Sequence, residues 1–156
     1  MTRPIFIYLD FDGVIYPYSS QYRRMGLQAS KDAVAAINWL VEMYGARIVF
    51  STTWRYMHSL TELTARIRSH GIKGEIADAW MTPGIYKARD VEIEAHMLEH
   101  PEAVGIVLDD DDDVRLLAKS KVADRCVVVH CSGNKGLRLR KVMKVPQVLE
   151  SRGLLR

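Results

Sequence analysis

The stretch PIFIYLDFDGV, residues 4–14, decides the fold because an apolar segment in it runs directly into a pair of acids. The segment Pro4–Leu9 is rich in β-branched and aromatic residues, which predicts a buried strand. Asp10 and Asp12 follow, and residues two apart in an extended chain point to the same side. Their carboxylates therefore share one small space, where like charges repel unless a cation binds between them. Magnesium suits this arrangement because it takes oxygen ligands from one or two carboxylates.

Strand and helix patterns alternate along the rest of the chain. Further strands are predicted at 46–50, 75–79, 104–108 and 125–131, and helices at 31–44, 57–70, 86–100 and 114–120. In the helix 86–100, the residues available to face a core are Ala88, Val91, Ile93, Ala95 and Leu98. The alternation predicts an α/β fold, a three-layer, Rossmann-like parallel sheet with helices on both faces. We expect one domain, residues 1–156, with its site outside the carboxyl ends of the strands.

The composition is that of an ordinary soluble globular protein, with 48% hydrophobic and 26% charged residues. The sequence contains no apolar stretch of about 18 residues, so we expect no membrane span. The apolar run at the N-terminus is too short for a signal peptide, and we predict a cytoplasmic protein. The two cysteines, Cys126 and Cys131, are expected to be small buried hydrophobic residues.

The charge is unevenly distributed along the chain. Residues 121–156 carry nine Lys or Arg and two acids, a local charge of +7 in a chain of net charge +3. Such a segment can attract a polyanion such as nucleic acid, and it can equally be a solvated helix face. Five acids lie together at the other extreme, in Asp109–Asp113.

Each later strand or helix also delivers a polar group. Ser51 and Thr52 follow the second strand, and either hydroxyl can donate to a phosphate oxygen or cap the next helix. Lys87 opens the helix after Pro83-Gly84, where the helix dipole disfavours a cation. An anionic partner would explain this position, and an ordinary surface lysine is the alternative. Asp109 and Asp110 follow the fourth strand. The order of acid pair, hydroxyl, lysine and acid pair predicts a phosphoryl-transfer site.

This order resembles the haloacid dehalogenase (HAD) superfamily of phosphatases, with the most specific match at Asp10-Phe11-Asp12-Gly13-Val14. The resemblance covers about Ile5 to Asp113. It implies that Asp10 attacks phosphorus and forms an aspartyl-phosphate, while Asp12 protonates the leaving group and then activates water. It also implies a Mg²⁺ cofactor, held by Asp10, by the backbone carbonyl of Asp12, and by Asp109 or Asp110.

The resemblance further implies that Ser51 and Lys87 hold the phosphoryl oxygens. Thr52 is an alternative to Ser51 as the second-motif hydroxyl, and five aspartates leave the register of the fourth motif open. The stretch Ser-Thr-Thr-Trp-Arg, residues 51–55, is similar to that of small members associated with nucleic-acid end repair. Arg55 is therefore a further candidate for phosphate binding, since a guanidinium can bind phosphate bidentately.

The motif spacing leaves no room for the cap domain that many HAD members carry. Between Asp12 and Ser51 lie 38 residues and between Ser51 and Lys87 lie 35, and core elements use most of them. The loop 16–28 can make only a flap. Its aromatic and basic residues are Tyr16, Tyr18, Tyr22, Arg23 and Arg24.

An open site suits a phosphate on a large substrate, such as a nucleic-acid 3′ or 5′ end, and aromatic residues with arginine can stack bases. The flap tyrosines can equally pack onto the domain. A small-molecule phosphatase with the same mechanism is the closest alternative function.

Two other classes are weaker alternatives. A receiver-like signalling domain needs a phosphate-accepting aspartate after the third strand, where the sequence offers only Asp78. A non-catalytic binding module would keep the fold and use a basic C-terminal surface, formed by Lys135, Arg138, Arg140, Lys141 and Lys144. Loss of activity usually removes the nucleophile or the metal acids, and both are present here. The oligomeric state is not predicted.

Overall fold

The computed structural model describes residues 3–19, 27–84 and 88–155, which form one parallel sheet flanked by helices. The strands are β1 (Ile5–Leu9), β2 (Arg47–Phe50), β3 (Ile76–Met81), β4 (Val104–Asp109) and β5 (Cys126–His130). The α-helices are α1 (Lys31–Tyr44), α2 (Leu60–Ser69), α3 (Arg89–Leu98), α4 (Leu139–Val142) and α5 (Val145–Ser151). Three 3-10 helices lie at Thr53–Tyr56, Asp112–Lys119 and Ala123–Arg125.

The strand order is β3-β2-β1-β4-β5, and every pairing is parallel. Strands β2 and β3 are added on one side of β1, and strands β4 and β5 on the other. The strand order therefore switches between β1 and β4, which pair directly from Ile5 with Val104 to Leu9 with Leu108. Parallel sheets of this kind open a crevice at the carboxyl end of such a pair. The topology therefore places the residues that follow β1 and end β4 side by side.

The two faces of the sheet bury separate cores, as side-chain alternation along each strand requires. In β1, Ile7 and Leu9 face the core formed with α1, α2, α4 and α5, whereas Phe6 and Tyr8 face the one formed with α3 and the 3-10 helix Asp112–Lys119. This confirms the predicted three-layer α/β fold. Cys126 and Cys131 are buried free thiols on opposite faces, as expected.

Local signals explain where the first two helices begin. The Ser30 hydroxyl accepts a hydrogen bond from the Ala33 amide at 3.3 Å, which caps α1. Ser59 and Glu62 form a reciprocal capping box, so α2 begins at Leu60, three residues after the predicted start. The 3-10 helix Thr53–Tyr56 occupies part of the preceding segment.

Helix α3 differs from its prediction. The side chains of Val91 and Leu98 were expected to face a core, but they are exposed. The buried residues of this helix are Glu92, Ile93, His96 and Met97. The prediction is therefore right for Ile93 and wrong for Ala88, Val91 and Leu98. It followed apolar residues alone, whereas the sheet-facing side of α3 also carries polar groups with partners elsewhere in the fold.

Within the described ranges, the connections from β1 to β2 and from β2 to β3 contain only helices of the core layers and short loops. No cap domain is seen there, in agreement with the motif spacing. The longest helix in these ranges has 14 residues, and none is long and apolar enough to cross a membrane.

Candidate active site

Three carboxylates meet at the carboxyl ends of β1 and β4. Asp10, Asp109 and Asp110 each offer an oxygen, and these oxygens lie within 4.8 Å of one another. Asp10 and Asp109 are buried, and Asp110 is partly buried. The Asp10 amide donates to the Leu108 carbonyl at 3.3 Å, which ties the end of β1 to β4. Asp10 of the first predicted acid pair is thus brought together with both members of the second pair, Asp109 and Asp110, at one point of the sheet.

Burial and mutual repulsion dominate the electrostatics of this cluster. Burial raises the pKa of Asp10 to about 6, against the pull of Arg89 and of the Phe11 amide. Burial, and then the charge of Asp10, raise the pKa of Asp109 to about 7. The pKa of Asp110 is also raised, first by burial and then by Asp109. A divalent cation between these oxygens would offset the repulsion, so the donor set fits a hard, oxygen-binding metal.

The remaining aspartates of the run, Asp111–Asp113, form the start of the next 3-10 helix. The Asp109 carboxylate accepts from the Asp111 amide at 2.9 Å, and Asp111 in turn accepts from the Asp113 amide at 2.9 Å. Asp111 is the N-cap of the 3-10 helix Asp112–Lys119. The first two acids therefore lie at the cluster, and the later ones form the start of the helix, where the backbone favours carboxylates.

Arg89 is a residue that the sequence argument missed. It opens α3, and its Nη1 lies 2.7 Å from Asp109 Oδ2 and 3.4 Å from Asp10 Oδ1. The predicted cation, Lys87, is two residues earlier and lies outside the described residues. The signal was present in the same stretch, since Arg89 is also a cation at the start of a helix.

Asp12 lies apart from the three-carboxylate cluster. Its Oδ2 accepts a hydrogen bond from the Trp54 indole at 2.9 Å. Its backbone forms a bridge with Tyr16, and Gly13 between them has φ +80°, a conformation that disfavours a side chain. A Cβ on Gly13 would also collide with the Asp110 carboxylate. The glycine after the acid pair is thus required both for the turn and for the approach of Asp110.

The two hydroxyls after β2 have different environments. Ser51 is fully buried, and its Oγ has no hydrogen-bond partner among the residues that the structure describes. The Thr52 Oγ1 accepts from the Trp54 amide at 3.3 Å and caps the 3-10 helix Thr53–Tyr56. A buried hydroxyl without a partner is costly, which favours Ser51 over Thr52 as a donor to a ligand.

Arg55 does not have the environment of a phosphate-binding residue. Its side chain is 1% exposed, and it pairs with Glu92 at 3.0 Å. Its remaining donors contact the carbonyls of Ser51, Thr52, Thr82 and Pro83 and the Tyr56 hydroxyl. This geometry does not support the predicted binding of phosphate by Arg55, because every N–H of the guanidinium already has a partner within the fold.

The flap supplies one packing residue and one residue beside the cluster. Tyr16 is buried and stacks on Trp54. Tyr18 is 46% exposed, and its ring packs over Gly133, where a Cβ would lie 2.8 Å from the ring and 2.6 Å from Asp110 Oδ2. The other flap residues singled out, Tyr22, Arg23 and Arg24, lie outside the described residues.

Part of the basic C-terminal segment makes contacts within the chain. Arg138 Nε lies 3.3 Å from Asp32, and Lys141 Nζ donates to the His130 carbonyl at 3.1 Å. Lys135, Arg140 and Lys144 are exposed. Two of the five residues predicted to form one basic surface, Arg138 and Lys141, thus hold the C-terminal segment against the rest of the fold.

Comparison with known protein families gives a match that covers most of the chain. A family model described as the HAD domain in Swiss Army Knife RNA repair proteins matches residues 6–142. No curated protein and no solved structure matches the chain. The match confirms the HAD resemblance and its fold class, and it indicates phosphohydrolase-type chemistry, which is general in that superfamily. The matched range contains all four motif positions and Arg89.

Proposed function

Because the chain belongs to the family of HAD domains found in Swiss Army Knife RNA repair proteins, we propose that it is a Mg²⁺-dependent phosphatase with Asp10 as nucleophile. The observation that carries this proposal is the cluster of Asp10, Asp109 and Asp110 with Arg89 at the carboxyl ends of β1 and β4. It combines a carboxylate nucleophile, a metal-binding donor set and a fixed cation, which phosphoryl transfer needs together.

The chemistry assigned to the chain has two halves. An Asp10 carboxylate oxygen attacks phosphorus, the bond from phosphorus to the leaving oxygen breaks, and Asp12 gives that oxygen a proton. Asp12 then takes a proton from water as the water attacks the aspartyl-phosphate, which releases inorganic phosphate and restores Asp10. Asp12 therefore acts as general acid in the first half and as general base in the second.

The other residues bind and orient the phosphoryl group. Asp10, Asp109 and Asp110, with the backbone carbonyl of Asp12, would hold the Mg²⁺, which supplies charge neutralisation when bound. Ser51, whose hydroxyl has no partner among the described residues, would donate to a phosphoryl oxygen. We assign to Arg89 the role of the cation beside the phosphoryl group, with Lys87 as the other candidate.

The substrate proposed is a phosphate on a large molecule, specifically a nucleic-acid 3′ or 5′ end. Two observations support it. The described residues contain no cap over the acids, so an extended substrate can approach. The half-exposed ring of Tyr18 packs beside Asp110, where an aromatic surface can stack a terminal base. The description of the family as RNA repair proteins agrees with this substrate class.

The test is phosphate release from p-nitrophenyl phosphate and from RNA and DNA oligonucleotides phosphorylated at either end. Release that needs Mg²⁺, stops with EDTA and is lost in Asp10→Asn is the expected result. Asp124→Asn, an exposed acid remote from the cluster, is the matched control and should retain activity. Preference for one oligonucleotide end supports the nucleic-acid substrate, whereas preference for the small ester supports a small-molecule phosphatase. Metal-dependent activity that survives Asp10→Asn would overturn the proposed nucleophile.

A further inference from the structure

We propose that Trp54 is a positioning residue that fixes the carboxyl group of Asp12 for proton transfer; this rests on the proposed function. The indole Nε1 of Trp54 donates to Asp12 Oδ2 at 2.9 Å, across 42 residues of sequence. An indole N–H is a donor only, so it can orient a carboxyl oxygen but cannot exchange roles with it. Trp54 is only partly buried, and its ring is nevertheless held from several sides.

The ring of Trp54 is fixed by its neighbours. Tyr16 stacks on it with ring centroids 5.6 Å apart and an interplanar angle of 25°. The guanidinium of Arg66 lies 5.1 Å from the Trp54 ring centroid, within cation–π range. The Trp54 amide donates to the Thr52 hydroxyl at 3.3 Å. The direction of the indole N–H is therefore set by the fold.

Tyr16 connects this indole to the backbone of Asp12. The bridge between Asp12 and Tyr16 and the bond from the Gly13 amide to the Tyr16 carbonyl, 2.8 Å, fix the main chain on either side of the Asp12 carboxyl. The Tyr16 hydroxyl in turn lies 2.6 Å from His70 Nε2, which anchors the same ring to the end of α2. One tyrosine thus holds both the main chain of Asp12 and the side chain that binds its carboxyl group.

This arrangement has a chemical consequence for Asp12. A donor on Oδ2 disfavours a proton on that oxygen, so the proton that Asp12 transfers belongs on Oδ1. The Trp54 bond therefore selects which oxygen works as acid and base. Removal of the N–H should slow the steps in which Asp12 transfers a proton. The three-carboxylate cluster and Arg89 should be unaffected.

The test uses Trp54→Phe, which removes the N–H and keeps an aromatic ring on Tyr16. The measured quantity is kcat/KM, which reports attack by Asp10, for phenyl phosphate and for p-nitrophenyl phosphate. Phenolate is a poor leaving group that needs a proton, whereas p-nitrophenolate leaves with little help. We expect a loss of about tenfold or more with phenyl phosphate and a much smaller loss with p-nitrophenyl phosphate. Trp39→Phe on α1 is the control and should change neither.

A second variant guards against a folding defect. Trp54 replaced by benzothienylalanine exchanges the N–H for sulfur and keeps the shape of the ring, and it should reproduce the selective loss. Equal losses on both esters, or no loss in either variant, would overturn the role of Trp54 while leaving the phosphatase assignment intact. Absence of metal-dependent release from the wild type would instead overturn the proposed function itself.

Discussion

Arg55 and Arg89 are both held inside the fold, with 1% and 11% of their side chains exposed, yet their surroundings differ. Arg55 follows β2 and gives its donors to backbone carbonyls and to Glu92. Arg89 begins α3 and faces Asp10 and Asp109 at the carboxyl ends of two strands. Arg55 is thus surrounded by carbonyls and holds a loop, whereas Arg89 faces crowded carboxylates, in whose chemistry we propose that it takes part.

Helix α3 is common to both sites. Arg89, Glu92 and His96 are spaced by three and four residues and therefore lie on one side of the helix. Arg89 contacts the acids, Glu92 contacts Arg55, and His96 contacts Tyr8 in β1 at 2.7 Å. The polar side of this helix is thus held by contacts at three points, and the first of these points is the cluster of three carboxylates.

The largest effect is expected when Arg55 is replaced. Arg55→Met leaves Glu92 buried without its partner and frees several loop carbonyls. We expect a loss of about 3–5 kcal/mol in the free energy of unfolding, because removal of one member of a buried pair strands the other charge. Urea unfolding followed by circular dichroism measures it.

The exposed pair of Arg47 with Glu75 provides the control. These groups lie 3.5 Å apart with side chains 51% and 81% exposed, so Arg47→Met should cost less than about 1 kcal/mol. The double variant Arg55→Met with Glu92→Leu should recover part of the loss, since an apolar pair can replace a buried ion pair. Equal losses of unfolding free energy for Arg55→Met and Arg47→Met would contradict the structural role given to Arg55.

Arg89→Met should act on turnover. We expect kcat/KM to fall by about 10²–10³-fold, the effect of one lost electrostatic donor at a transition state. The fold should survive because Mg²⁺ in the assay can neutralise the acids that Arg89 contacts. Steady-state kinetics with p-nitrophenyl phosphate measure this, with Arg115→Met, an exposed arginine paired with Asp112, as the control.

The same assay decides between the two candidate cations. Lys87→Met should have a smaller effect than Arg89→Met if Arg89 is the cation that holds the phosphoryl group. The reverse order would restore the original assignment of Lys87 and leave Arg89 as a partner of the acids alone.

The sheet was predictable because a buried parallel strand is a short apolar run that ends at a polar residue. Val104–Asp109 is buried along its whole length, and the sequence shows this as an apolar run before the aspartates. The buried side of α3 was not predictable in the same way. Glu92 and His96 are polar, and their burial depends on Arg55 and Tyr8, which lie 37 and 88 residues away in sequence.

The residues of the site also differ in whether the sequence could predict them. Asp10 and Asp109 could be found because each follows directly from its strand, and parallel strands bring their carboxyl ends together. The contact of Trp54 with Asp12 spans 42 residues and the contact of Arg89 with Asp109 spans 20. Contacts between residues so far apart cannot be inferred from the local sequence pattern. For this reason Arg55 was predicted to bind phosphate and Arg89 was not.

The smallest expected effect concerns His96, the third contact of α3. Its Nε2 lies 2.8 Å from the Ala79 carbonyl, an acceptor, so Nε2 carries the proton and Nδ1 accepts from the Tyr8 hydroxyl. Tyr8→Phe leaves Nδ1 without this donor and should cost about 1 kcal/mol of unfolding free energy. Urea unfolding near neutral pH measures the loss, and activity should stay near the wild-type value because neither side chain touches the acid cluster.

The pH dependence of stability distinguishes the contribution of His96 from that of the acids near Arg89 at the other end of α3. Burial lowers the pKa of His96, so the unfolded chain takes up a proton near pH ~6.5 that the folded chain resists. Stability from this group is complete above that pH and declines as the pH falls below it. Unfolding measured from about pH 7.5 to about pH 5.5 should therefore show a smaller decline in His96→Gln than in the wild type. An unchanged decline would mean that groups other than His96 cause the acid sensitivity. The polar contacts of α3 that contribute to stability would then be the two that involve arginine.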